Sequence, residues 1–176
     1  MKNLYLFGIS NGNVPCIVKF DPISKNLIKM LVPEGMKVLN YMNCIYINEN
    51  TIYLTGGINK GLNEIATEAK IYNPEAGTFQ ALPSMIQPRY THFGVFFENK
   101  LFCFGGRYFG KGMVGILKAC EYFDFNTWRW FEMCPMRKRR CTGNALVYGN
   151  EMYVFGGYTG DKERARMVEK YDVDND

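Results

Sequence analysis

Leu101-Phe102-Cys103-Phe104-Gly105-Gly106 is an apolar, strand-forming run closed by two glycines, and the chain repeats it. Ile52-Tyr53-Leu54-Thr55-Gly56-Gly57 comes 49 residues earlier and Met152-Tyr153-Val154-Phe155-Gly156-Gly157 comes 51 residues later. A degraded copy, Leu4-Tyr5-Leu6-Phe7-Gly8-Ile9, lies a further 48 residues upstream of the first diglycine. Self-similarity at a fixed period of about 50 residues is the mark of a solenoid, propeller or array. Short apolar strands with glycine punctuation select the propeller. Such folds present loops on a rigid scaffold, so the period points to binding rather than catalysis.

Each period carries a second landmark, an aromatic followed by Asp or Asn and, six residues on, a large apolar residue: Phe20-Asp21 with Leu27, Tyr72-Asn73 with Phe79, Phe123-Asp124 with Trp130. The last copy, Tyr171-Asp172, ends before its partner. Arg89 and Arg140 each stand 16 residues before the next diglycine, and the same count places Asn40 before Gly56. Several landmarks holding one spacing make a specific signal where a lone Gly-Gly would carry none.

The residues between the landmarks read as strands. Runs such as 46–53 and 95–102 put β-rich segments around a short polar turn, the pattern of a hairpin. Asp21-Pro22, Asn73-Pro74 and Gly149-Asn150 mark turns, and no window holds a sustained helical period. An all-β chain is predicted, with four-stranded antiparallel meanders over 41–82 and 92–133 and incomplete ones over 1–32 and 142–176, each copy ending strand b at its glycines. A hydrophobic fraction of 47% with 15% aromatics is enough for a substantial core.

The repeat resembles the kelch motif along the whole chain. The best-matching stretch runs from Met136-Arg137-Lys138-Arg139-Arg140 through Gly156-Gly157-Tyr158-Thr159-Gly160-Asp161 to Val168-Glu169-Lys170-Tyr171-Asp172. It is similar to the blades of the BTB–BACK–Kelch substrate adaptors of cullin-RING ubiquitin ligases. Gly8-Ile9 departs from the diglycine, Leu27 and Phe79 from the usual tryptophan, and Asn40 from the arginine. The resemblance implies a partial kelch propeller of about three to four blades. A ring needs more, so further blades or another chain are expected to close it.

In a four-stranded meander the b–c and d–a loops share one rim, and the a–b and c–d turns share the other. The first rim is basic, with Lys37, Lys60, Arg107, Lys111, Lys118, Arg137, Lys138, Arg139, Lys162, Arg164 and Arg166 beside the repeat arginines Arg89 and Arg140. The second is acidic, with Asp21, Glu49, Glu75, Glu98, Asp124 and Glu151. A positive rim draws an acidic ligand from a distance and grips carboxylates through arginine forks. In the Kelch-like adaptors, d–a loop arginines hold acidic degron peptides. The resemblance therefore implies that role for Arg89 and Arg140, with Arg139 beside them. Tyr90, Arg107, Tyr108, Phe109 and Tyr158 supply the aromatic and planar surface typical of interface hot spots. The expected partner is a protein or peptide with an acidic segment, bound as ubiquitin-ligase substrate or, alternatively, as part of a cytoskeletal or structural scaffold. Arg137-Lys138-Arg139-Arg140 also admits a nuclear localisation signal or a nucleic-acid patch, both weakened by its place inside a folded repeat.

Catalysis finds no footing. Galactose-oxidase-type copper enzymes use kelch-like propellers, but their centre takes two histidines and this chain has only His92, expected to be a packed or capping imidazole. Gly110-Lys111-Gly112 is too short for a phosphate loop, and no cofactor or metal is expected. The six cysteines lack metal-type spacing; Cys44 and Cys103 fall in strands as core thiols, and Cys141 is read as a buried strand residue in preference to a redox sensor. With no membrane-length apolar stretch or signal-peptide pattern, a cytoplasmic chain is expected, the nucleus remaining open through the basic run.

Overall fold

A computed structural model describes residues 3–10, 14–110, 113–160 and 165–171, and every described element is a strand. The first sheet holds β1 (Leu4–Ser10), β2 (Val14–Asp21) and β3 (Asn26–Met30). In the second, β4 (Asn43–Asn48) and β5 (Thr51–Thr55) are followed by a small separate hairpin, β6 (Ile58–Asn59) with β7 (Glu64–Ile65), before β8 (Ala69–Asn73) and β9 (Thr78–Leu82). The third repeats this plan with β10 (Phe93–Phe97), β11 (Lys100–Phe104), the hairpin β12 (Arg107–Gly110) and β13 (Met113–Ile116), then β14 (Cys120–Asp124) and β15 (Arg129–Met133). The fourth comprises β16 (Asn144–Tyr148), β17 (Glu151–Phe155) and β18 (Glu169–Tyr171). All pairing is antiparallel and follows chain order, as a meander requires.

The sheets stack face to face, and each interface is an apolar cluster. Ile17, Ile52, Leu54 and Tyr72 join the first to the second; Tyr53, Leu101, Cys103 and Phe123 join the second to the third; Phe102, Phe104, Met152, Val154 and Tyr171 join the third to the fourth. Alternation along each b strand makes this possible, because Ile52 and Leu54 face one neighbour while Tyr53 faces the other. The innermost strands β4, β10 and β16 lie side by side, and a backbone chain crosses them: Thr91 N donates to Tyr41 O at 3.0 Å and Thr142 N to Thr91 O at 2.8 Å. The sheets make a partial propeller that does not close into a ring.

The glycines act through their backbone. Gly56 and Gly105 take φ of 59° and 55°, and a Cβ on either would stand 2.3 Å or 2.2 Å from the carbonyl oxygen of Arg89 or Arg140 in the next blade. The diglycine therefore serves both a left-handed bend and a close approach. It also turns the chain into β6–β7 and β12–β13, short hairpins in segments whose sequence reads as loop.

One landmark is corrected. The isolated bridges pair Asn40 with Ile58, Tyr90 with Arg107 and Cys141 with Tyr158, so Asn40 occupies the place after the arginine and buried Leu39 precedes it. The d–a loop of the second blade is one residue short, and a bulge between Tyr46 and Asn48 restores the count. Leu27 also departs from its repeat partners: it is exposed, whereas Trp130 packs inward with its Nε1 donating to Pro83 O at 2.8 Å.

Candidate interaction rim

Arg89 and Arg140 are not on the rim surface. Both are fully buried, a correction to the carboxylate-gripping role expected of them. Arg89 donates to Gly105 O at 2.8 Å, Ala119 O at 2.9 Å and Glu121 Oε1 at 2.7 Å; Arg140 donates to Gly156 O at 3.1 Å, Met167 O at 3.2 Å and Glu169 Oε1 at 2.5 Å. The carboxylates are satisfied in turn by loop amides, Ile86 N and Gln87 N on Glu121, Arg137 N and Lys138 N on Glu169. Each pair ties a d–a loop to strand c of its own blade. The arginine carbonyl meanwhile receives Gly57 N or Gly106 N from the preceding blade, at 2.9 Å in both cases. A buried charge is tolerated only when paired and hydrogen-bonded in this manner.

The second blade replaces the pair. Lys70 stands where Glu121 and Glu169 stand, two residues before the landmark aromatic, and its buried ammonium donates to Lys37 O at 2.8 Å and Glu68 Oε2 at 3.0 Å. Burial pushes the Glu68 carboxyl up, but hydrogen bonds from Lys70 and Lys37 outweigh it and hold the group below its usual value. The spacing of Glu121 and Glu169 before Phe123 and Tyr171 was the sequence signal for these partners; counting from the glycines hides it, because the b–c segments differ in length.

The rim surface is built from the neighbours of the buried arginines. Tyr90, Arg107, Tyr108 and Tyr158 are partly exposed and Arg139 is exposed. The Arg107 guanidinium lies 5.7 Å from the Tyr158 ring centroid, and its Nε donates to Cys141 Sγ at 3.4 Å. Arg139 Nε donates to Thr159 O at 2.8 Å, and Gly160 brings its backbone against both Arg139 and Ile116, so blades three and four meet here. Tyr108 folds its hydroxyl over Gly110 and, among the described residues, stacks on no other ring. Tyr41, which the sequence reading left out, joins the expected Tyr90, Phe109 and Lys60: the Tyr41 and Tyr90 rings lie 6.3 Å apart, Tyr90 and Phe109 6.2 Å apart, and Lys60 sits 4.9 Å over Tyr41. These rings and cations together form an aromatic ridge across three blades. Lys111, Lys162, Arg164, Asp161 and Asp172 lie outside the described residues.

His92 lies beneath the rim, buried, with Nε2 hydrogen-bonded to Thr55 Oγ1 at 2.8 Å and Nδ1 without a partner. Burial, and then the charge of Arg89, hold its pKa well below 6.5. The unfolded chain therefore takes up a proton near pH 6.5 that the folded chain refuses, so stability is full above that pH and falls below it. Between pH 6.5 and 5 the loss is expected to approach about 1.4 kcal/mol per pH unit. Urea midpoints across that window check this, with His92→Gln expected to flatten the dependence. Cys103 is buried, with its thiol pushed up to about 12 chiefly by burial, and Cys141 is buried too. Cys44 is corrected: it lies in β4 but is an exposed residue outside the three apolar clusters, although its thiol is desolvated enough to be pushed up to about 12. Among the described residues no three His, Cys, Asp or Glu side chains are grouped to hold a metal, and no helix is long and apolar enough to cross a membrane.

Five-residue b strands closed by bent diglycines, d–a arginines locked to strand-c carboxylates and meandering sheets packed face to face together define kelch-type propeller blades. Models of the kelch motif match residues 88–137 and 139–176, half of the chain between them. The chain belongs to the kelch-repeat proteins and resembles the Kelch-like family. Kelch-like protein 7 of Rattus norvegicus is 32% identical over 112 residues, covering 64% of this chain and 18% of that protein. Kelch-like protein 23 of Homo sapiens is 31% identical over 159 residues, covering 88% and 26%, and Kelch repeat protein C2 of Vaccinia virus (strain Western Reserve) is 26% identical over 175 residues, covering 98% and 32%. The chain thus spans under a third of the length of these relatives. The solved structure of YjhT superposes with a TM-score of 0.73 over 87% of this chain and 48% of its own, at 13% identity, a likeness of fold.

Proposed function

We propose that the chain is a non-catalytic protein-interaction module that binds an acidic peptide or protein segment on the rim formed by its b–c and d–a segments, as part of a substrate receptor for a cullin-RING ubiquitin ligase. One observation supports this above the others. Arg107 is partly exposed and braced, its guanidinium against the Tyr158 ring and its Nε on Cys141, on a rim whose b–c and d–a segments also expose Lys60, Lys118, Arg137, Lys138 and Arg139. A planar donor held in place loses little freedom on gripping a carboxylate, and aromatic neighbours exclude water from the contact. The resemblance to Kelch-like proteins supports the receptor role.

Anisotropy with a fluorescent Asp/Glu-rich peptide tests the rim. Arg107→Ala is expected to weaken binding by about 2 kcal/mol, roughly thirtyfold in Kd. Lys138→Ala, removing an exposed cation, is expected to slow association and lessen its salt dependence with little change in dissociation. Equal losses from the two would reduce the rim to a charge field. A receptor for degradation further requires that a captured partner live longer in cells when Arg107→Ala replaces the native chain; an unchanged lifetime favours a scaffold.

A further inference from the structure

The rim is not closed evenly. In the second and third blades the diglycine bends the chain so that Gly57 N and Gly106 N bond to the next d–a loop. In the first blade Gly8 has no positive φ, and β1 stays paired with β2 out to Ser10 opposite Val14. That hairpin runs straight past the point where its counterparts turn. The facing loop is also the one that lacks the arginine, with Leu39 before the bridge residue. A crevice of about 280 Å³ is left, lined by Ile9 and Pro15 of the first blade, by Asn59, Lys60 and Gly61 from the second, and by 36–40 of the loop that joins them.

The chemistry of the crevice is divided. Ile9, Pro15, Met36 and Leu39 give it an apolar lining, of which Met36 and Leu39 are buried, and Lys37 and Lys60 add exposed cations at its mouth. The Lys37 side chain is 70% exposed in a surface ion pair with Glu68, a contact that an incoming carboxylate can exchange at small cost. The volume falls just below the range of roughly 300–1,000 Å³ typical of small-molecule sites and suits one large side chain. We infer that this seam is the anchor pocket of the rim, taking a bulky apolar side chain of the acidic partner segment while a carboxylate next to it meets Lys60 at the mouth. The inference rests on the rim reading and adds to it the composition of the ligand: a hydrophobic residue flanked by acids.

Gly61 supplies a filling variant. Its Cβ position meets only Asn59 Oδ1, at 3.5 Å, with no positive φ, so Gly61→Trp can block the mouth without straining the backbone. Three short peptides serve as probes on the full chain: an acidic one with a central tryptophan, the same with alanine, and the tryptophan peptide with lysines in place of its acids. Amide NMR shifts report the site and titration the affinity. The tryptophan peptide is expected to shift amides of 36–40 and to bind roughly tenfold more tightly than the alanine peptide, the gain from burying one large apolar side chain. Gly61→Trp should bring the tryptophan peptide down to the affinity of the alanine peptide, and the lysine peptide should not bind. Shifts around Arg107 with none at 36–40, or a preference that survives Gly61→Trp, would overturn the pocket and leave the rim standing. No binding of either acidic peptide would overturn both.

Discussion

Arg89→Ala is expected to cost about 3–5 kcal/mol of folding stability, because it leaves Glu121 charged and buried without its partner. Glu121 is 1% exposed, and the two amides that remain to it cannot replace a guanidinium 2.7 Å away. Ala119 O and Gly105 O lose a donor at the same time. A loss of that size is a large share of the roughly 5–15 kcal/mol that holds a domain together. Urea denaturation of the wild-type chain and the variant measures it. The double variant Arg89→Met/Glu121→Met removes both charges at similar volume and should recover the part of the loss that comes from the unpaired carboxylate, while the cost at Gly105 O, Ala119 O, Ile86 N and Gln87 N, which lose their side-chain partners, remains. An Arg89→Ala chain that unfolds at the native urea midpoint but no longer binds an acidic peptide would restore the arginine to the rim.

Gly105→Ala is the second large effect. The added Cβ would stand 2.2 Å from Arg140 O and 2.8 Å from Met136 Cε, at a φ of 55°. A methionine end can move, but the carbonyl oxygen cannot, because it accepts Gly106 N at 2.9 Å and belongs to the residue locked to Glu169. Left-handed strain and a backbone clash add, for an expected loss of about 3 kcal/mol or more. Gly149→Ala separates the two terms: it has the same backbone sign, φ 61°, with nothing within 4 Å, and should lose only about 1 kcal/mol. Equal losses in thermal melts would show that the close approach between blades is not what fixes the diglycine.

The period and the strands were legible because they are local: an apolar run, two glycines and a polar turn lie within a few residues of one another. The role of Arg89 and Arg140 was not, because their partners lie 32 and 29 residues away and burial is set by the stacked sheets. Asn40 was misplaced for a different reason. Met36, Met85 and Met136 all precede their diglycines by 20 residues, so a lost loop residue and a gained bulge residue cancel in any count along the chain. The two small hairpins escaped notice because pairings as short as Ile58 with Ile65 carry no alternating pattern. Of the expected rim residues, Tyr90, Arg107, Phe109, Arg139, Tyr158 and Lys60 do reach the surface, while Tyr41 joins them only through contacts between blades.

Amide hydrogen exchange of the full chain with and without the acidic tryptophan peptide tests the division between a structural interior and a binding rim. Protection is expected in 36–41, 58–61, 90–91, 107–109 and 158–160, with the turns at 48–50, 98–100 and 149–151 on the acidic rim unchanged. Protection confined to those turns, or slowed exchange spread evenly through the strands of all four sheets, would contradict binding at the basic rim.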